Sequence, residues 1–507
     1  MNERQTAVRT THGDVRGLAR EGSIAFYGIP YATAPVGGRA FSQPEPPQNW
    51  TGVRDATAPG PTAQVTGFDG GTIPEPSVPG DDILTVNVFT PEPSRAAALP
   101  VLVWFHGGAF IAGSPVSPWY DGAAFNREGI VVVSVGYRLG ITGFAAVEGA
   151  SPNRGVSDWL AALRWVHDNI ADFGGDPGRV TIAGQSAGGS AVLTMLAIED
   201  ARSLVSQAIA CSPVFTQMTP AGADRAMVEI GRLLDLPGTA SSLSEVPRTR
   251  LDEVVWEMHN TFGKAPEAAR PHTDPLSLVL QILTSLELSP TLDGSLVQRS
   301  VAEGVLQGAA GDVPLLIGST AAEFNALVPE GVGFPVGREV LALETFGIGW
   351  GTATRYLKER SDLTGSELVG QLLTDLMIRG PVAFLAERRE ATWVYDFQWK
   401  GRGELDPGRA FHCLDLPFAW NTIATAGAVR AAGDAPEALA SEVHGAWVRF
   451  IKTGDPGWAA HSERRVVRCF DEPSRDVANG YAAERLVGRA AVDLGLVGER
   501  GDDLAPA

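Results

Sequence analysis

The pentapeptide Gly184-Gln185-Ser186-Ala187-Gly188 follows the apolar run RVTIAG (179–184) and opens the small-residue run SAGGSAVLTMLA (186–197). A strand turning directly into a helix strains its central residue, exposes that side chain and requires small neighbours. Ser186 is therefore read as a nucleophile. In a chain of this composition the pattern arises by chance roughly 0.4 times, so its place between strand and helix carries the inference. A serine hydroxyl is a weak nucleophile at neutral pH, so a base must take its proton and N–H donors must hold the oxyanion. One donor should be the N–H after the nucleophile, Ala187, and the others should come from a glycine-rich loop after an earlier strand. The run PVLVWF (100–105) leads straight into His106-Gly107-Gly108-Ala109-Phe110. We assign Gly108 and Ala109 as donors beside Ala187, with an ordinary glycine turn as the competing reading. His106 is taken as a packing residue of that loop.

With such an elbow the acid and then the histidine follow the serine along the chain. His259, His272, His412, His444 and His461 lie downstream. His444 falls inside a helical pattern and His461 in a polar, surface-like stretch. His412 lies in a loop just after the strand-like TWVYDFQW (392–399), where a reachable imidazole belongs. Each of these histidines also has a structural reading. The run VPLLIGST (313–320) places Glu323 just past a strand end, positioned to orient an imidazole. Asp415, three residues from His412, competes with it, and spacing favours Glu323.

These side chains require a scaffold of buried strands. PVLVWF, GIVVVSVG (129–136) and RVTIAG are β-branched or aromatic runs of strand length. Before the third, SDWLAALRWVHDNIADF (157–173) carries Leu160, Leu163, Val166, Ile170 and Phe173 at helical spacing, with Ser157 as its expected cap. Gly174-Gly175-Asp176-Pro177 should stop it. Strand, helix, strand with apolar character throughout predicts an α/β fold with a mostly parallel sheet. Leu439, Val443, Trp447 and Ile451 mark a late helix packed on that sheet. Residues near 215–300 and 325–390 read as largely helical insertions, expected to form a lid or gorge.

The chain has 507 residues, which would suit about three average domains. No linker, repeat or low-complexity block divides it, so residues 1–507 are taken as one domain. Hydrophobic residues make up 44% and charged residues 20%, and mean hydropathy is +0.02, as in a globular protein. A net charge of −19 without a basic run argues against nucleic acid as a partner. No apolar leader and no continuous spanning run is evident, so we expect no membrane partner and a cytoplasmic setting. Cys211, Cys413 and Cys469 are widely spaced and read as buried free thiols.

The chain resembles the type-B carboxylesterase and cholinesterase family of α/β-hydrolases nearly end to end. The resemblance rests on Phe26-Tyr27-Gly28-Ile29-Pro30-Tyr31-Ala32, Trp50-Thr51-Gly52-Val53-Arg54-Asp55-Ala56-Thr57, and Asp81-Asp82-Ile83-Leu84-Thr85-Val86-Asn87-Val88. The 106–109 loop, Tyr137-Arg138-Leu139-Gly140, Phe173-Gly174-Gly175-Asp176-Pro177, the serine elbow and Thr453-Gly454-Asp455-Pro456 follow in the family's order. It implies an α/β-hydrolase fold and a triad of Ser186, Glu323 and His412. Glu323 closes a Gly-x-Thr-x-x-Glu segment at 318–323, and Asp415 becomes a neighbouring structural acid. It also implies oxyanion donors at Gly108, Ala109 and Ala187, with no metal and no cofactor.

Four departures stand out. Ile83 and roughly Ala63 occupy places where many relatives have a disulfide, and its loss suits a reducing compartment. The residue before the nucleophile, often Glu in the family, is Gln185. The 63–82 loop lacks the tryptophan of choline-ester-binding relatives, which disfavours a cationic substrate. Phe324 stands where relatives usually have glycine. The expected activity is hydrolysis of a small-molecule carboxylic ester through an acyl-enzyme. Carbamate or amide hydrolysis by the same triad is the alternative, and a non-catalytic binding protein on the same fold comes last. The expected assembly is a monomer or small homo-oligomer.

Overall fold

The computed structural model describes residues 5–65, 72–215, 217–263, 274–283, 286, 288–494 and 496–497. Among them thirteen strands form one sheet. Seven neighbouring strands run parallel. In spatial order they are Val131–Val135, Leu99–Phe105, Gly175–Gln185, Gln207–Cys211, Leu315–Thr320, Thr392–Phe397 and Val467–Phe470. Antiparallel strands Thr85–Thr90, Ser23–Pro30, Asp14–Arg20 and Gln5–Arg9 extend one edge, and Arg475–Val477 closes the other. Every residue of Val131–Val135 and of Leu315–Thr320 is buried, which is why these strands read as continuous apolar runs rather than alternating ones.

Side chains alternate across a strand, so Leu99–Phe105 feeds two cores. Val101, Val103 and Phe105 join one cluster with Trp159, while Leu102 and Trp104 join another with Trp420 and Trp447. The second cluster seats the helix Glu437–Thr453 through Leu439, Val443, Trp447 and Ile451, as its spacing predicts, and Gly454 ends it at φ 78°.

The helix expected at 157–173 begins three residues earlier, at Arg154, and Ser157 is not its cap. Asn153 precedes it in a left-handed conformation with no side-chain cap, because its amide is used elsewhere. It donates to the Thr291 carbonyl at 2.7 Å and to Asp293 at 2.6 Å, and its oxygen accepts from the Thr291 N–H at 2.8 Å. These long-range bonds outweigh a local capping preference. The helix passes into a short 3₁₀ turn over Ile170–Phe173 and stops at Gly174, φ 88°.

The insertions are largely helical in their described parts, with helices at Pro220–Leu234, Ala240–Ser244, Arg248–Gly263 and Pro275–Leu283, then Glu339–Thr345, Trp350–Glu359 and Gly365–Ala386, joined by turns and coil and, in the first, by the short strand Gln217–Met218. Part of the first insertion lies outside the described residues. Gly365–Ala386 is long and apolar enough, by length and composition, to cross a membrane. It is not a continuous apolar run, however: it carries Glu367, Asp375 and Arg379, and most of it is buried, as in a core helix.

The buried pair Arg138–Asp158 ties the Tyr137-Arg138-Leu139-Gly140 segment to the helix Arg154–Asn169. The Arg138 guanidinium donates to both Asp158 oxygens, at 2.9 and 2.7 Å, and to the carbonyls of Ala40 and Ser42. Asp158→Ala would strand a guanidinium that is 1% exposed, so we predict a loss of about 3–5 kcal/mol of unfolding free energy. The measurement is the denaturant midpoint at unchanged slope.

Candidate active site

In a parallel sheet all strands end on the same side, and the singled-out residues lie just beyond those ends. Ser186 follows Gly175–Gln185 with φ 57° and ψ −122°, a conformation a non-glycine residue adopts only under constraint. Its N–H donates to the Cys211 carbonyl at 2.9 Å, which fixes the elbow to the neighbouring strand. A Cβ on Gly184 would lie 2.2 Å from the Gly188 carbonyl oxygen, and one on Gly188 would lie 2.0 Å from that of Phe105. The two glycines let the chain double back here.

The loop after Leu99–Phe105 lies against the elbow, since a Cβ on Gly107 would come 3.4 Å from the Ser186 Cβ. Gly108, Ala109 and Phe110 all have positive φ, at 110°, 53° and 63°. Among the described residues no acceptor engages the N–H groups of Gly108, Ala109 or Ala187. Ala187 also opens the helix Ala187–Ala197, whose dipole favours negative charge there. His106 packs as expected. It stacks on Tyr137 at 4.4 Å, contacts the Gly107 carbonyl through Nδ1 at 2.8 Å, and burial lowers its pKa to about 4.

The structure brings Glu323 and His412 together across 89 residues, with Glu323 Oε2 at 2.5 Å from His412 Nδ1. Glu323 Oε1 accepts from the Ser212 hydroxyl at 2.6 Å and from the Thr320 N–H at 2.7 Å, so this buried carboxylate is hydrogen-bonded on both oxygens. Burial opposes protonation of His412, but the Cys413 sulfur and Glu323 carboxylate facing the ring outweigh it, and the pKa rises well above the ordinary histidine value. Burial also pushes the Cys413 thiol up, leaving it uncharged at neutral pH. The bond to Glu323 puts the proton of the neutral ring on Nδ1 and leaves the Nε2 lone pair free to accept.

Asp415 does not reach the imidazole in a hydrogen bond. Its Oδ2 accepts from the Tyr395 hydroxyl at 2.7 Å, and burial, then the nearby Glu323 charge, raise its pKa to about 6. His444 Nδ1 contacts the Ala419 carbonyl at 2.8 Å, far along the chain from the elbow. His461 is 1% exposed rather than on the surface, with Nδ1 at 3.1 Å from the Val466 carbonyl. Its polar neighbours in sequence mislead because the ring is turned inward, while the His461 backbone N–H donates to the Thr392 carbonyl at the start of the strand Thr392–Phe397. His259 lies in the helix Arg248–Gly263, and His272 is outside the described residues.

Ser212 and Arg379 escaped the sequence reading, and Phe324, singled out there as a departure, makes a contact that reading did not give. Ser212 sits at φ 42° just past the strand Gln207–Cys211, and only its place at a strand end signalled it. Phe324 packs on the His412 ring at 4.8 Å between centroids. Arg379 lies in a π-helical turn, Asp375–Arg379, and braces the Glu323 segment from behind. It donates to the Thr320 carbonyl at 3.0 Å and to Asp396 at 2.7 and 3.0 Å, and it pairs with Glu484 at 2.7 Å.

The Carboxylesterase family model matches residues 4–341. The para-nitrobenzyl esterase of Bacillus subtilis is 32% identical over 493 residues, covering 92% of this chain and 94% of that protein. The phenmedipham hydrolase of Pseudarthrobacter oxydans is 31% identical over 495 residues, covering 94% and 95%. A solved PNB esterase structure superposes with a TM-score of 0.80 at 30% identity, covering 95% of this chain and 98% of that one.

The crowding at the elbow sets a test that needs no substrate. Gly188→Ala should displace Ser186 and slow its phosphorylation by an organophosphate about 100-fold. Gly445→Ala, where an added Cβ meets nothing within 4 Å, should react at the wild-type rate. Intact-protein mass against time reads both.

Proposed function

The chain belongs to the carboxylesterase family and is a serine hydrolase of carboxylic esters, and from that premise we propose that Ser186, His412 and Glu323 perform the reaction. The carrying observation is the Glu323–His412 contact set beside a strained serine whose neighbouring N–H groups lack acceptors. His412 Nε2 takes the proton as Ser186 Oγ attacks the ester carbonyl carbon. The N–H groups of Gly108, Ala109 and Ala187 donate to the oxyanion. Glu323 stabilises the imidazolium and fixes its tautomer. Collapse expels the alcohol, which takes the proton from His412. Water, deprotonated by the same nitrogen, then attacks the acyl-enzyme and releases the acid.

The loop between the strands Val53–Asp55 and Thr85–Thr90 bears on the choice of substrate. Glu75 lies within electrostatic reach of Tyr120 and Tyr137, and burial lifts its carboxyl to about 8, so it is neutral at pH 7. That supports the reading, drawn from the missing tryptophan, that Glu75 offers a cationic alcohol no fixed countercharge. The three buried free thiols support a reducing, cytoplasmic setting.

Turnover of p-nitrophenyl acetate, butyrate and octanoate tests the proposal. Ser186→Ala should lower kcat at least ~10,000-fold, and an organophosphate should label Ser186 in the wild type. A labelled serine with no ester turnover would direct the assay to carbamates and amides, whose carbonyls accept the same attack.

The pH dependence follows from the raised His412 pKa. The working base is the neutral ring, so kcat/KM should fall about tenfold per pH unit below a limb lying above the ordinary histidine value of about 6.5. A plateau persisting well below pH 5 would remove His412 as the base.

A further inference from the structure

Gln185 and Phe324, two of the positions where this chain departs from its family, meet on one side chain. Phe324 packs against the His412 ring, and the Gln185 side-chain amide lies 2.9 Å from Nε2. Because Nδ1 carries its proton toward Glu323, Nε2 presents a lone pair, and the Gln185 N–H is the donor to it. The Gln185 side chain runs across Gly107 to reach this place, since a Cβ there would stand 2.8 Å from its Oε1. The nitrogen that must accept the serine proton is therefore already engaged in the free protein. Among the described residues no hydrogen bond joins Ser186 Oγ to the imidazole.

We propose that Gln185 is a positioning residue for the general base, its amide N–H holding Nε2 of His412 at the elbow and favouring the neutral, proton-accepting ring. An N–H donor stabilises an imidazole lone pair and cannot serve an imidazolium, which has none. A carboxylate at the same place would do the reverse, accepting from the protonated nitrogen and stabilising its charge. The groups facing His412 from the surrounding elements are few. The Glu323 carboxylate comes from the turn after Leu315–Thr320, the Asp415 carboxyl from the start of the helix Leu416–Ala419, and the Cys413 thiol from the ring's own loop. Asp415 is tied to Tyr395, and Glu323 to Ser212 and Thr320. Gln185, which carries no charge, is thus the group that touches Nε2. Its amide must yield that nitrogen to the Ser186 hydroxyl when the substrate is attacked.

This inference rests on the serine–histidine reading, and the experiment separates the two. The readout is the pH profile of kcat/KM for p-nitrophenyl acetate, which reports the free protein's titration. Gln185→Glu should move the acid limb upward by one pH unit or more, about the effect of an opposite charge at hydrogen-bond distance. Gln185→Met, similar in size but lacking the donor, should move it upward by about half a unit, less than the carboxylate does. A purely structural role would lower thermal stability or kcat in both variants and leave the limb in place. A limb that stays, or moves downward, in Gln185→Glu overturns the proposal. If Gln185→Glu fails to fold, a stationary limb in Gln185→Met does so. Ser186→Ala and His412→Ala serve as controls. Turnover surviving either one refutes the underlying reading, whereas their inactivity beside an unmoved limb refutes the role of Gln185 alone.

Discussion

A carboxylate buried beneath an imidazole is the constraint around which this molecule is arranged. An isolated buried charge is costly, and a group in that position persists only when donors satisfy it. Glu323 has three such partners, drawn from its own turn, from Ser212 beyond the adjacent strand, and from His412 beyond the next one. The strand Leu315–Thr320, which leads to Glu323, lies between Gln207–Cys211 and Thr392–Phe397. The carboxylate is satisfied only if three parallel strands hold their register.

The same register fixes the serine. Ser186 N–H and Ser212 N–H both donate to carbonyls at neighbouring strand ends, those of Cys211 and Gly318. The nucleophile's turn, the serine under the acid and the acid's strand therefore form one hydrogen-bonded rank. Behind it, Arg379 links Thr320 to Asp396 and Glu484, carrying the constraint from the sheet into the late helix Glu484–Leu494. This buried guanidinium is paired with carboxylates and also donates to backbone, the form in which a buried charge is tolerated.

Much of this was legible because strand-end placement is written locally. Apolar runs of strand length marked the parallel core, and of the residues read past them the fold joins Glu323 to His412, whose ring touches Gln185 beside Ser186. What the sequence concealed depends on contacts between distant segments. Ser157 has the chemistry of a cap, but Asn153 is drawn into bonds with Thr291 and Asp293 and starts the helix earlier. His461 sits among polar residues yet turns inward, which only the completed sheet determines. Ser212 has no motif of its own, because its role exists only once Glu323 is folded across from it. Spacing already favours Glu323 over Asp415, and the hydrogen-bond partner each finds, His412 for one and Tyr395 for the other, shows why.

The insertion helices carry a core of their own. Leu278 and Val279 pack with Leu343, Phe346, Tyr356, Val369 and Leu372 in a cluster distinct from the two that sandwich the sheet. Phe324 and Met377 pack against both this cluster and one of the sheet's, and the first insertion also sends Met227, Ile230 and Val254 into the latter. Side chains inside this outer cluster can change in size and shape at some distance from the strand ends that hold the acid and the nucleophile, so variation should accumulate in these helices faster than in the strands.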